Sequence, residues 1–383
     1  MGKHTTGDET KGGKHVADRG FEEYLFQAAC PNNEILRDEK GRPSFMVFIP
    51  KFRMNQVITN GSDRVHPAFI VNGKEREGFY ISKYQNTKWE GGACALPGEE
   101  PWNDVGYAGS WEACAAKGPG WHLTTCQEWG AVALWCRRNG FLPFGNNDHG
   151  KDKRETAFRA RPAAWDGEGA KWVRTGTGPL TWTHDGTTAG IWDLNGNVSE
   201  WVAGLRFVFG ELQVLPDNDG AVRSVDQSPG SAAWRAIDAA TGAWVIPDGK
   251  GTTPGTVKAD YRAEPFDVAG WGSRWVFTAD DPPSRADALR RCDMSFIQCD
   301  DTVGPEAREL LYALGLMFNE PYFDTKEQYA YLNNGVPETF MYRGGYWGSG
   351  AFAGVFCWSA SWGRDHPYEG NGFRCSYISP DSV

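Results

Sequence analysis

The chain reads as an α+β protein built from short, mainly antiparallel strands, with few helices and much irregular connection. Three observations predict this class. Eighteen Trp, 13 Tyr and 21 Phe stand beside 48 Gly and 22 Pro, a mixture that supplies many tight turns and large rings to pin the loops between them. Runs of β-branched and aromatic residues bounded by Gly, Pro and Lys recur along the chain. Full helix start and stop signals are sparse, and no repeat with a period of about 20 to 50 residues is present, which argues against a solenoid or propeller.

Residues 1–40 read as a polar tail followed by a short helix, Phe21 to Ala29, with Tyr24, Leu25 and Ala28 on one face. The globular body is expected over residues 41–383. FMVFIP (Phe45 to Pro50) and GFYISKY (Gly78 to Tyr84) are its first strand candidates. A short helix is expected over Trp111 to Ala116. The clearest helix follows it: Thr125 and Glu128 form a capping box, Trp129, Val132, Ala133 and Cys136 share a face, and Gly140 supplies the stop. Residues 205–335 loosen into Asp, Gly, Ala and Pro and read as a large insertion. Within it Pro305 to Phe318 and Lys326 to Leu332 are helix candidates; Pro305 suits a first helical position, and Leu310, Leu311, Leu314 and Met317 give a buried stripe.

Charge and cysteine usage narrow the function. Thirty-nine Lys plus Arg against 49 Asp plus Glu leave a net charge of −10, so a nucleic-acid partner or an anionic membrane surface is not expected. No apolar run is long enough to span a bilayer, and no secretory signal opens the chain, so a soluble protein, cytoplasmic or virion-associated, is expected. Nine Cys, an odd number without C-x-x-C spacing, indicate buried thiols rather than a zinc ribbon or a fully paired disulfide framework.

Two segments stand out. In IWDLNGNVSEW (Ile191 to Trp201), Asp193, Asn195, Asn197 and Glu200 place oxygens at short spacing around Gly196, which suits a hard cation or an Asx-rich turn equally well. The run from Arg343 to Tyr377 alternates Gly with Tyr346, Trp347, Phe352, Trp358, Trp362, His366 and Tyr368. Rings joined by small adaptable residues are paratope chemistry. A Gly-rich core hairpin with buried Trp has the same composition.

These segments carry a resemblance. GWHLTTCQEW (Gly120 to Trp129), LPFGN (Leu142 to Asn146), Asp193 to Trp201, Arg343 to Trp347 and Gly372 to Cys375 are similar, in order, to five motifs of formylglycine-generating-enzyme (sulfatase-modifying factor) domains. The resemblance spans about residue 45 to the C-terminus, apart from most of 202–342. It implies a C-type-lectin-like fold of mixed, mainly antiparallel sheets with two core helices. It also implies a structural Ca²⁺ held by the side chain of Asp193, the carbonyls of Gly196 and Val198 and the carboxylate of Glu200. The family's copper chemistry needs two cysteines, and the matching positions hold Phe356 and Ser361. Copper and catalysis are therefore not expected. The alternative is a copper oxidase acting on protein cysteine through Cys357 or Cys375.

The C-terminal run is also similar to the variable proteins of diversity-generating retroelements, whose segment ends in A-G-V-F, 15 residues containing an Arg, then G-F-R. Here Phe356 and Gly372 bracket 15 residues, with Arg364 eighth. Such systems vary Asn codons of the form AAY to NNY, which cannot encode Trp, Glu, Gln, Lys or Met. The resemblance therefore implies a ligand-contacting set of Tyr346, Gly348, Ser349, Phe352, Ser359, Ser361, His366, Tyr368 and Gly370. Arg343, Gly344, Gly345, Trp347, Arg364, Gly372, Phe373 and Arg374 would be the frame. The expected function is recognition of a macromolecular ligand, a cell-surface protein or glycan, by a phage or prophage protein without catalysis.

Overall fold

The computed structural model describes residues 21–156, 159–263, 273–318 and 328–380, so the first 20 residues of the polar tail lie outside the described residues. Pro43–Pro50 and Gly78–Ser82 bury Val47, Ile49, Phe79 and Ile81 on one face and Met46 on the other, alternating as strand side chains do. They pair antiparallel at the heart of a five-stranded sheet ordered Asn33–Arg37, Pro43–Pro50, Gly78–Ser82, Cys375–Tyr377, Trp121–Leu123. The last strand of the chain thus fills a gap between two early ones. The expected body boundary at residue 41 moves, because Asn33–Arg37 is the edge strand paired to residues 43–47. The Phe21–Ala29 helix forms where expected, but the expected face of Tyr24, Leu25 and Ala28 is exposed, because Phe26 is the residue that packs, against Phe45 with ring centroids 4.9 Å apart.

A second sheet holds twelve strands among the described residues. Its main order is Arg290–Asp293, Tyr329–Leu332, Gly354–Trp362, Thr339–Gly344, Ser199–Val208, Glu211–Val214, Lys258–Ala263, Ser273–Thr278, Gln298–Cys299. Asn371–Phe373 adds a parallel pair to Ser199–Val208. The fold is α+β, mostly sheet with few helices. Residues 205–335 widen this sheet on both sides of the segment that resembles the family, rather than standing apart as a separate body.

Between the sheets lies the Cys126–Arg138 helix, with 11 of its 13 residues buried. Its start follows the sequence: the Thr125 hydroxyl accepts from the Glu128 N–H at 3.1 Å, and the Glu128 carboxylate accepts from the Thr125 N–H at 3.0 Å, satisfying two otherwise orphan donors. Gly130 is required by a close approach, since a Cβ there would fall 2.1 Å from the Ala313 carbonyl oxygen. That carbonyl ends the Pro305–Ala313 helix, which stops five residues before the expected Phe318. Gly315 takes φ +63° and the Leu316 N–H turns back to the Leu311 carbonyl at 3.0 Å, a left-handed helix ending. The earlier helix spans Tyr107–Ala115, beginning before Trp111 because Tyr107 is buried and stacks on Phe340 at 3.9 Å. The expected Lys326–Leu332 helix is overturned. Tyr329–Leu332 is a strand, with Ala330 and Leu332 buried and the two tyrosines facing the other way; Lys326 and Glu327 lie outside the described residues.

Among the described residues, no helix is long and apolar enough to cross a membrane. All nine Cys are free, eight of them buried, and the Cys114 and Cys375 sulfurs meet at 2.8 Å where helix and last strand touch. His66 is equally enclosed: its Nδ1 accepts from the Ala68 N–H and its Nε2 donates to the Ala313 carbonyl, both at 3.1 Å.

Burial pulls the His66 pKa down to about 3 from 6.5, so the folded state needs the neutral ring. Its contribution is intact above pH 6.5 and is lost as pH falls through the window down to about 3, at about 1.4 kcal/mol per pH unit. His66→Gln should flatten the fall of Tm over that acidic window by about one proton's worth. An unchanged slope in thermal melts would assign the acid sensitivity elsewhere.

Candidate functional site

The site starts from a strand that ends abruptly. Thr339–Gly344 runs beside Ser199–Val208 and Gly354–Trp362, then Gly344 and Gly345 take φ +88° and +78°, a turn that any side chain would strain. The turn delivers Tyr346 to the surface and Trp347 to the interior. Trp347 is buried against Trp172 at 5.2 Å, its N–H donates to the Asn197 carbonyl, and its own carbonyl accepts from the His149 N–H. Arg343 is fully buried and donates to the Gly315 carbonyl at the end of the insertion helix. Gly372 allows the chain to pass Trp102 and Val198, where a Cβ would sit 2.7 Å from the Trp102 carbonyl oxygen. Phe373 is buried beside Trp102. Arg364 is partly exposed and clamps Glu338 and the Gln227 carbonyl. These seven expected frame residues are held in place by the turn and its packing, and the eighth, Arg374, is buried against Glu200.

Of the nine expected ligand-contacting residues, seven line one cavity of ≈ 560 Å³: Tyr346, Gly348, Ser349, Phe352, Ser359, Ser361 and Tyr368. Tyr368 and Gly348 are exposed, Tyr346, Phe352 and Ser361 half-buried. Ser349 and Ser359 form the floor. Ser349 also does local work, its hydroxyl accepting from the Tyr346 N–H at 3.0 Å. His366 and Gly370 stand apart from the cavity. His366 stacks on Trp362 at 3.9 Å. Gly370 is buried, with its carbonyl accepting from the Ser199 N–H at 2.7 Å. Several lining residues were missed by sequence, among them Leu289, Tyr329, Tyr331 and Tyr342. The alternation in Tyr329-Ala330-Tyr331-Leu332 was the available signal for two of them.

The Asp193 to Glu200 loop folds around a side chain that sequence reading passed over. The Gln85 amide nitrogen donates toward the Val198 carbonyl at 2.8 Å, the Glu200 carboxylate at 2.9 Å, the Asp193 carbonyl at 3.3 Å and the Gly196 carbonyl at 3.5 Å. Its amide oxygen accepts from Asn197 at 2.7 Å, which fixes this orientation. Three of the four expected Ca²⁺ ligands, the Gly196 and Val198 carbonyls and the Glu200 carboxylate, converge, but on an amide N–H₂ group. Glu200 is further committed to Arg374, which grips both carboxylate oxygens at 2.5 and 2.6 Å. The Asp193 side chain turns elsewhere: one oxygen accepts from the Gly176 N–H at 2.9 Å, and the other is buried without a partner among the described residues. Burial pushes its carboxyl up to about 6. A cation bonded at about 2.3–2.6 Å to these oxygens would coincide with the Gln85 nitrogen, so the residues as folded do not fit a resident Ca²⁺.

The thiols of the alternative reading are separated. Cys357 lines the cavity, and burial pushes it up to about 12. Cys375 lies against Cys114 beneath the first sheet. Among the described residues, no group of three or more His, Cys, Asp or Glu is placed to hold a metal ion. Protein-family models give no match to the chain, and neither do the curated proteins.

Two outcomes follow from this geometry. Trp347→Ala empties a buried ring site, at a cost of about 3 to 5 kcal/mol, and should lower Tm by several degrees, whereas Tyr368→Ala should leave it nearly unchanged; equal losses in calorimetry would dissolve the frame and surface division. The wild-type Tm should be the same in EDTA and in millimolar Ca²⁺. Gln85→Glu sets a carboxylate among four oxygens, so its Tm should drop in EDTA and recover with Ca²⁺. A wild-type melt that depends on Ca²⁺ would restore the cation to this loop.

Proposed function

We propose that this chain is a recognition protein of the diversity-generating-retroelement type. On this reading its lectin-like scaffold, related to formylglycine-generating-enzyme domains, presents a changeable cavity to a macromolecular ligand. One observation carries the reading: seven of the nine expected ligand-contacting positions line a single cavity, while Arg343, Gly344, Gly345, Trp347, Gly372, Phe373 and Arg374 are buried. Substitution at the rim then changes contacts without unpacking the core. A pre-ordered surface also loses little conformational entropy on binding. Aromatic rings supply area at the cost of two rotatable bonds each.

Cys357 at the cavity wall favours a second reading, a thiol oxidase of the formylglycine-generating kind. A thiol held near 12 is protonated at neutral pH and is a poor copper ligand, and among the described residues no second sulfur lines the cavity. The deciding comparison is of the gene with its neighbourhood. A reverse-transcriptase gene and a near-identical repeat differing from codons 346–370 only at adenines are expected. A repeat with substitutions spread over Trp347 and Phe373 codons would end the proposal. So would conversion of a C-x-P-x-R peptide to formylglycine by the purified chain with copper and oxygen.

A further inference from the structure

The cavity is not made by the C-terminal run alone. Leu289, Tyr329 and Tyr331 reach it from the insertion. Tyr329 and Tyr331 sit two apart on one face of their strand, rings 4.7 Å apart and perpendicular, and Tyr329 meets Phe352 at 4.2 Å. The strand is held in register by its parallel pairing to the cavity floor, with Tyr331 opposite Ser359. On its other side Tyr331 faces Arg291. The Arg291 guanidinium lies 5.5–5.8 Å from the Tyr329, Tyr331 and Phe352 ring centres and donates to the Tyr331 hydroxyl at 2.9 Å. Leu289, about half exposed, stands at the mouth.

Charge and functional groups select the occupant. The chain carries −10 overall, yet among the described residues the lining includes Lys153 and no Asp, Glu, Asn or Gln. Sugars are held through paired hydroxyls on planar carboxylates and carboxamides, which this lining lacks. Rings, serine hydroxyls and the Lys153 ammonium, with the Arg291 guanidinium behind the tyrosines, suit carbonyl and carboxylate groups of a polypeptide instead. We propose that Leu289, Tyr329 and Tyr331, backed by Arg291, form a fixed wall that grips an acidic, protruding loop of a protein ligand, while the opposite wall varies. This rests on the recognition reading above, and gives the insertion a role: it supplies contacts common to every variant.

A display library of the full chain, randomised with NNY codons at the seven cavity-lining positions, would be panned against two cyclised peptides of equal length, one rich in Asp and Glu, the other with Lys in their place. Binders are expected chiefly to the acidic peptide. Introducing Tyr331→Ala or Arg291→Gln should weaken each of them at least tenfold, whatever its variable residues, with Tm held within about 2 °C. Arg291 is exposed, so its variant keeps the test alive if Tyr331→Ala unfolds. Binders indifferent to both substitutions would overturn the fixed wall and leave recognition standing. Binders chiefly to the Lys peptide would overturn the acidic loop. A folded library that yields no binder to either peptide would remove both the inference and the reading beneath it.

Discussion

The buried ion pair between Arg374 and Glu200 is the joint on which the molecule turns. Glu200 opens the central strand of the large sheet, and Arg374 sits between the last short strand of that sheet and the final strand of the small one. Beyond its two bonds to the carboxylate, the guanidinium donates to the carbonyls of Ser82 and Trp192 at 3.0 Å. One side chain thereby fixes both sheets, the Asp193 loop and the C-terminus. Pairs of this kind return little net energy against their desolvation, but losing one partner strands a buried charge at a cost of about 3–5 kcal/mol. The pair specifies a unique arrangement more than it adds stability.

Local signals in the sequence translated directly into structure. The Thr125 and Glu128 cap, the strands around Met46 and Phe79, and the Gly344-Gly345 turn each depend on neighbours within a few residues. Failures came where distant segments decide. Nothing near Tyr329 announces that Ala330 will face Trp358 across a parallel pair, so apolar residues among polar ones passed for a helix. Gly315 was a legible stop, and the longer apolar stripe concealed it. The insertion joins the large sheet through pairings such as Glu211 with Lys258 and Ala330 with Trp358, 47 and 28 residues apart in sequence, beyond the reach of any periodicity.

The candidate site was legible in its frame and only partly in its surface. Codon limits and glycine spacing picked residues that converge, because a segment that turns repeatedly must expose what lies between its turns. Two of those residues were misplaced for physical reasons. His366 finds a better partner in the flat face of Trp362, and Gly370 is consumed by a backbone bond to Ser199. Gln85 lay far from the loop it closes, 108 residues before Asp193. An oxygen-rich loop reads as a cation site until the donor that satisfies it is known.

The small sheet remains incomplete until Cys375–Tyr377 slides between Gly78–Ser82 and Trp121–Leu123. Synthesis delivers this closing piece only after the whole run from Tyr346 to Gly370 has been translated. A frameshift or premature stop anywhere upstream leaves that slot vacant and the nascent product unfinished, ready for proteolysis. The small sheet therefore closes only around a product read in frame through the whole cavity-lining run.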